Sequence, residues 1–439
     1  MTDDLADLAG LFQGQQNATE ADRAARGRGG RIALLVTAIV LVLALAGAGG
    51  YVWWALNASL PQPVTSSHTP DPPASAAVAL ALPESTSAIS ISGAEEYLGK
   101  TSGVWAKSGA NDPRPMASIS KLITALVVLD RKPLADAAAT GPTIRFSKAD
   151  HDLYDQYYVQ GATIAPMPTG SSMSERDAIA MMLVPSASNY ADAVSTWAYG
   201  SRGAFLSAAR KWLAKNGLNS TRIVEPTGIS AQNTSTPTDL LALGRLAAAS
   251  PAVAAIAGMR SLQIPDLGGF SNTNDLLGVE GVTGLKTGNL GSGSHNLLYT
   301  ASLDVGIGKP ISVVGVVLGG ATNAAVADDV KALLASIREG FHQIDVAEAG
   351  QPVGHIETPW GDEAQLVIPS GTSILTWSDT PIEVSMTLNA PKTYTDGEVV
   401  GSITWKAGPN TTSADIRLKG TIGQPDEWWR LTHPDLLGE

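Results

Sequence analysis

The distribution of charged and apolar residues separates the first two stretches of the chain. Residues 1–31 are polar, whereas residues 32–56 carry no charged side chain. At 1.5 Å per residue, a helix over the second stretch spans roughly 37 Å, enough to cross the hydrocarbon core of a membrane. Tyr51, Trp53 and Trp54 at its far end are typical of the aromatic belt at a membrane surface. The pattern predicts one transmembrane anchor behind a polar tail.

Four arginines between residues 23 and 31 precede the apolar stretch. Positive charge on one flank indicates the cytoplasmic side, so we expect residues 1–31 inside and the rest of the chain outside. A cleaved signal peptide is the alternative, with small-residue sites at 44–46 and 46–48. The long, initially acidic stretch before the apolar run favours an uncleaved anchor. Both interpretations export the remaining chain.

Residues 57–84 contain six prolines among Ala, Ser and Thr. Proline-rich stretches favour extended backbone, so the composition predicts a linker that holds the next domain away from the membrane. A disordered spacer with no length requirement is the alternative.

Residues 85–345 have the pattern of a globular α+β domain. Apolar and polar positions alternate over 88–92, as in a half-buried strand, and strand patterns return over 296–303 and 311–318. Helical patterns fill most of 130–245. Strands at both ends with helices between them predict a sheet that joins the two ends of the segment.

Residues 346–439 predict a separate, all-β domain. Between 382 and 388, apolar Ile, Val, Met and Leu alternate with polar residues, which indicates a strand exposed on one face. A short echo, Val353-Gly354-x-Ile356 and Val400-Gly401-x-Ile403, accompanies several turn signals.

Composition excludes several kinds of chemistry. The chain has no cysteine, which rules out disulfides, thiol catalysis and cysteine metal sites. Its net charge of −12 and the lack of a basic stripe beyond residue 31 argue against a nucleic-acid partner. The six histidines are scattered without ligand spacing, so we predict no metal site and no cofactor.

One apolar stretch, residues 115–129, combines a helix pattern with reactive side chains. Pro115 precedes a run without glycine, and a proline is tolerated at a helix start. Ser118 and Lys121 are three residues apart and therefore share one helix face. A serine beside an amine is a workable nucleophile. Such a pair also occurs by chance and needs further support.

Two further motifs follow in the same domain: Leu183-Val184-Pro185-Ser186-Ala187-Ser188-Asn189 and Gly284-Leu285-Lys286-Thr287-Gly288-Asn289. With Met116-Ala117-Ser118-Ile119-Ser120-Lys121, their order resembles that in the penicillin-recognising serine enzymes. The chain most resembles the serine-type D-alanyl-D-alanine carboxypeptidases among the low-molecular-mass penicillin-binding proteins. The resemblance implies an antiparallel sheet with a helical cluster, followed by a C-terminal β domain.

The resemblance also implies roles for individual residues. Ser118 is the expected nucleophile and Lys121 its base, with Ser186 passing a proton to the leaving amine. The expected substrate-binding residues are Lys286, Thr287, Gly288, Ser188 and Asn289. The backbone N–H groups of Ser118 and Asn289 would form the oxyanion hole. Ser188 stands where the family usually has asparagine, and Asn189 is the alternative third residue of that motif.

The function implied by the resemblance is removal of the terminal D-alanine from peptidoglycan stem peptides. β-Lactam antibiotics would be inhibitors, and the membrane would be a partner through the N-terminal helix. Three alternatives remain: a D,D-endopeptidase, a catalytically degenerate protein that binds cell-wall peptides, and a β-lactamase. The last requires a deacylating Glu, and neither Glu225 nor Glu280 stands in the Glu-x-x-Leu-Asn setting of that class.

Overall fold

The computed structural model describes residues 4–101, 103–291 and 293–438. The helices, in chain order, are α1 Asp4–Asn57, α2 Glu95–Leu98, α3 Ser120–Arg131, α4 Lys148–Tyr158, α5 Glu175–Leu183, α6 Ser188–Tyr199, α7 Arg202–Lys215, α8 Pro237–Ala249, α9 Pro251–Ala257, α10 Asn323–Gly340 and α11 Glu427–Thr432. The strands up to the end of the main sheet are β1 Val64–Ser67, β2 Thr86–Ser92, β3 Ala106–Ser108, β4 Arg114–Pro115, β5 Thr143–Arg145, β6 Ser172–Ser174, β7 Thr234–Ser235, β8 Ser261–Ile264, β9 Gly268–Ser271, β10 Val282–Asn289, β11 His295–Leu303 and β12 Ile311–Gly320. The strands of the C-terminal region are β13 Phe341–Ala347, β14 Gln351–Glu357, β15 Glu363–Ile368, β16 Thr372–Trp377, β17 Ile382–Leu388, β18 Val399–Ala407 and β19 Asn410–Lys419.

A five-stranded antiparallel sheet organises the central domain, in the order β10-β11-β12-β2-β3. Both of its faces are covered. On β11, Leu298 packs into the core shared with helices α3 and α5–α9, while Leu297 and Tyr299 face the core shared with α10. Because successive side chains of a strand point to opposite faces, buried neighbours require a layer on each side. The predicted α+β class is confirmed.

Helix α1 contains the predicted membrane-spanning stretch. Residues Gly30–Asn57 are long and apolar enough to cross a membrane, and their large apolar side chains are exposed in the isolated chain. The helix begins at Asp4, well before the apolar stretch. Its backbone continues unbroken because the first proline of the chain is Pro61.

The C-terminal domain is built on a six-stranded antiparallel sheet in the order β1-β14-β15-β19-β18-β17. The predicted β-rich region is confirmed, and its glycine echo has a structural reason. Gly354 and Gly401 each lie at a register shift, where a Cβ would stand within about 2.2 Å of a backbone oxygen of the neighbouring strand. Only glycine lets the two backbones approach so closely.

The proline-rich stretch 57–84 lies along the folded domains. Within it, β1 pairs with β14, from Val64 opposite Glu357 to Ser67 opposite Gly354. Further along, Ser75 Oγ is 2.9 Å from His342 Nε2. The linker expected from composition is thus an integral edge strand followed by a packed segment, because its polar groups have partners on the β domain and on α10.

Candidate active site

Ser118 lies in a 3-10 turn, Ala117–Ile119, that leads into α3. Two glycines hold this turn from either side. A Cβ on Gly228 would stand 1.9 Å from the Ala117 oxygen, and one on Gly288 of β10 would stand 2.7 Å from the Met116 oxygen. Ala117 itself has a positive φ of 51°, a strained conformation for a residue with a side chain. The turn is therefore fixed by backbone on both sides.

Lys121 is fully buried one turn beyond Ser118. Its Nζ lies 2.9 Å from Ser118 Oγ, 3.2 Å from Ser188 Oγ and 2.7 Å from the carbonyl oxygen of Thr227. Burial lowers the pKa of Lys121 to about 7, and the negative charge of Glu225 opposes that shift. About half of the amine is therefore neutral near pH 7, and a neutral amine can accept the Ser118 proton.

Lys286 is the second buried cation and lies on β10, the edge strand that faces the Ser118 turn. Its Nζ donates to Thr273 Oγ1 at 3.2 Å and to Thr287 Oγ1 at 3.5 Å. Burial, assisted by the charge of Lys121, holds the pKa of Lys286 well below its ordinary value. The charge of Lys121 thus favours the neutral form of Lys286.

The structure brings Ser188, and not Ser186, against Lys121. Ser186 sits in a left-handed turn with φ of 67°, and α6 begins only at Ser188. The side chain of Asn189 exchanges two hydrogen bonds with the backbone of Ala165, at 3.1 and 2.7 Å. Both Ser186 and Ser188 are almost fully buried. Ser188, at the start of α6 just after the turn at Ser186, therefore occupies the position beside Lys121.

The loop around Glu225, to which no sequence pattern assigned a role, contacts Lys121. The carboxylate of Glu225 accepts hydrogen bonds from the N–H groups of Thr227 and Gly228 at 2.7 Å, and from Ser230 N at 3.3 Å. The Thr227 hydroxyl and Asn233 Nδ2 also donate to it, at 2.7 and 2.9 Å. This carboxylate shapes the loop that presents the Thr227 carbonyl to the lysine. The sequence feature that could have indicated this loop is Glu225 with Thr227 and Gly228 two and three residues after it.

A cleft of about 480 Å³ opens above these groups. Ser118, Ser188 and Asn289 line it, opposite the loop that carries Gln160 and Thr163. No charged side chain of the described residues lines this cleft, and both lysines are buried. Across residues 4–101, 103–291 and 293–438 there is no group of three or more His, Asp or Glu suited to a metal ion.

The comparisons with known proteins agree with this geometry. The family model described as D-alanyl-D-alanine carboxypeptidase, peptidase family S11, matches residues 87–322, more than half of the chain. The D-alanyl-D-alanine endopeptidases of Escherichia coli K12 and Pseudomonas aeruginosa are each 33% identical to it, over 160 and 129 residues. These alignments cover 36% and 29% of this chain, and 46% and 38% of the relatives, so less than half of either relative is matched.

Solved structures show the same fold. Penicillin-binding protein 5 from Haemophilus influenzae has a TM-score of 0.51 at 17% identity, covering 81% of this chain and 100% of its own. Penicillin-binding protein 6B from Escherichia coli has a TM-score of 0.51 at 18% identity, covering 80% and 99%. The resemblance that the three motifs indicated is confirmed: this chain belongs to the D-alanyl-D-alanine carboxypeptidase family, peptidase family S11.

Proposed function

We propose that the protein is a serine D-Ala-D-Ala carboxypeptidase that removes the terminal D-alanine from peptidoglycan stem peptides. The observation that carries the proposal is the buried Lys121 Nζ, within hydrogen-bonding distance of both Ser118 Oγ and Ser188 Oγ. A base that touches two hydroxyls can take a proton from one and pass it on through the other.

The reaction follows from this arrangement. Ser118 Oγ attacks the carbonyl of the penultimate D-alanine while its proton moves to neutral Lys121. The backbone N–H groups of Ser118 and Asn289 are assigned to the developing oxyanion. Lys121 returns the proton through Ser188 to the leaving amine, and the peptide bond breaks to leave an ester on Ser118. Water then hydrolyses that ester by the same proton path in reverse.

Lys286 and Thr287 are assigned to the carboxylate of the departing D-alanine. A bound carboxylate beside Lys286 would offset the cost of protonating that buried amine, since an opposite charge favours the charged form. Gly288 contributes by leaving room for the Ser118 turn.

The nucleophile is tested by acylation with a fluorescent β-lactam and by intact-mass analysis. We expect one adduct on the native chain and none on Ser118→Ala. An adduct that persists in the variant would contradict the assignment.

The relay is tested by comparing two alanine variants. Ser188→Ala should slow D-alanine release by at least about tenfold, because a proton-transfer group contributes roughly 10²–10⁴-fold to rate and water replaces it in part. Ser186→Ala, two residues away, serves as the matched control and should retain most activity. The opposite ranking would return the relay to Ser186.

Cleavage of cross-linked peptides is a second candidate activity. The curated relatives are named endopeptidases, and no charged side chain of the described residues lines the cleft. A neutral cleft accepts an internal amide without demanding a free carboxylate. Digestion of cross-linked dimers and monomeric pentapeptides, in parallel and at equal concentration, separates the two activities.

We further propose that α1 crosses the membrane once, with residues 1–31 inside and the domains outside. The arginines before Ile32 support this orientation. External protease added to intact cells should remove the domains and spare the tail. A soluble form beginning near Gly47 or Gly49 would instead indicate signal cleavage.

A further inference from the structure

The C-terminal part of the described chain meets α1 where that helix leaves its apolar stretch. The Tyr51 hydroxyl donates to the Leu431 carbonyl at 2.6 Å. The guanidinium of Arg430 donates to the carbonyls of Leu56 and Ala58, at 3.3 and 3.1 Å. A cation on the last carbonyls of a helix satisfies unpaired acceptors and complements the helix dipole. Helix α11 therefore closes the C-terminal end of α1.

The same short helix is also attached to the β domain. The indole ring of Trp360 packs edge-on against Trp429, with ring centroids 5.8 Å apart, and Trp360 Nε1 donates to the Gly423 carbonyl. Trp429 in turn stacks on His433. Helix α11 is thus a wedge with one side on α1 and the other on the β domain.

Exposed aromatic side chains from both elements lie at this junction. Trp428 of α11 is 73% exposed, and Trp53 of α1 is 70% exposed. Exposed tryptophans of this kind are costly in water and favoured at the lipid–water interface, where the ring is buried and the N–H stays hydrated. Trp428 has no packing role on the β domain that would explain it.

We infer that α11 is a second membrane contact, which inserts Trp428 into the lipid–water interface beside the exit of α1. The inference rests on the proposed membrane crossing of α1. The partner is the bilayer interface itself. Arg430 already serves the helix end, and Asp426 and Glu427 flank Trp428, so anionic lipid gains no advantage here.

The consequence is a fixed position for the β domain. A single helix followed by a free linker would let the domains rotate and tilt on the membrane. Attachment of α11 to both α1 and Trp360 removes that freedom and holds the β domain against the bilayer. The active-site domain is then carried on the far side of a rigid base.

The absence of cysteine makes a direct test possible, because a single introduced cysteine labels one site. The full chain would carry an environment-sensitive dye at Trp428→Cys or Thr432→Cys, in phosphatidylcholine vesicles with nitroxides at headgroup or mid-chain depth. Residues 428 and 432 lie one turn apart on the same face, and the second variant keeps the tryptophan. Leu43→Cys reports the depth of α1, and Val159→Cys, exposed at the end of α4 in the active-site domain, is the matched control.

We expect dyes at 428 and 432 to be quenched several-fold more than the dye at 159, and mostly by headgroup-level nitroxides. Adding anionic lipid should change nothing. Quenching at 428 and 432 equal to that at 159, or appearing only with anionic lipid, would overturn the inference. Loss of mid-chain quenching at 43 would instead contradict the membrane crossing, so the two failures are distinguishable.

Discussion

Two buried glutamates in the same domain have opposite surroundings. The carboxylate of Glu225 receives five hydrogen bonds, including three from backbone N–H groups. Both carboxylate oxygens of Glu175, fully buried under the segment before β5, accept no hydrogen bond from any described group. Burial raises the pKa of Glu175 to about 7. Burial alone thus does not decide whether a carboxyl finds hydrogen-bond partners; the loop around it does.

The number of hydrogen-bond donors around each glutamate depends on what its loop contacts. Around Glu225, the backbone folds tightly around the carboxylate. This fold places the Thr227 carbonyl on Lys121 and Gly228 against the Ser118 turn. Around Glu175, the chain only covers the start of α5: Glu175 N donates to the Pro142 carbonyl, and Gly141 lies against the carboxyl. The first region supplies donors to its carboxylate, whereas the described groups of the second supply none.

The largest expected effect comes from Glu225→Gln. The amide turns one acceptor into a donor that faces backbone N–H groups, which should cost about 3 kcal/mol of unfolding free energy. Displacement of the loop should slow β-lactam acylation roughly hundredfold. Urea denaturation and stopped-flow acylation measure the two effects. An unchanged acylation rate would mean that the loop does not position the turn.

The same variant also sharpens the electrostatic argument. Acylation in the native protein should rise with pH through about 7, as Lys121 loses its proton. Glu225 raises the pKa of Lys121, so its neutralisation should move this rise to lower pH. A shift to higher pH would contradict the assignment of Lys121 as the base.

The next effect is expected from Glu175→Gln. The folded-state pKa of Glu175, about 7, lies above the ordinary glutamate value of 4.5, so the folded chain holds its proton more tightly. The stability contributed by the neutral carboxyl is full below pH 4.5 and is lost as pH rises through 7. The variant should therefore gain about 2–3 kcal/mol over the native protein at pH 8, and almost nothing at pH 4.5. Equal differences at both pH values would exclude titration of Glu175 as the cause.

The smallest effect is expected from Lys132→Gln. The positive charge of Lys132 lowers the pKa of Glu175, against the larger effect of burial. Removal of this charge should raise the pKa of Glu175 and move the loss of stability to higher pH. The resulting change in unfolding free energy should be less than about 0.5 kcal/mol at any pH, because Lys132 is exposed. Lys419→Gln on β19 is the matched control. An identical shift in both variants would indicate a general charge effect.

Local spacing carried much of the sequence prediction. Ser118 and Lys121 share a helix face by their separation alone, and the structure joins them by a hydrogen bond. The apolar stretch of α1 and the alternation of β17 were equally local. Each depends on the period of one element, which the sequence displays directly.

The remainder depends on backbone geometry or on distant partners. The left-handed turn at Ser186 precedes Ser188, which contacts Lys121. A sequence pattern does not predict this turn, because a serine and not a glycine occupies the left-handed position. The ring of donors around Glu225 depends on a loop conformation, not on a periodic pattern. Strand β1 looked like a spacer because its composition is that of a linker and its partner β14 lies near residue 354.

Strand β1 also changes where this protein can be divided. A fragment beginning at residue 85 retains Ser118, Lys121 and Lys286 but leaves β14 as a bare sheet edge, with unpaired N–H and C=O groups in register for another chain. Open edges of this kind promote strand-to-strand association between molecules. The smallest piece that remains monodisperse should therefore begin before Val64.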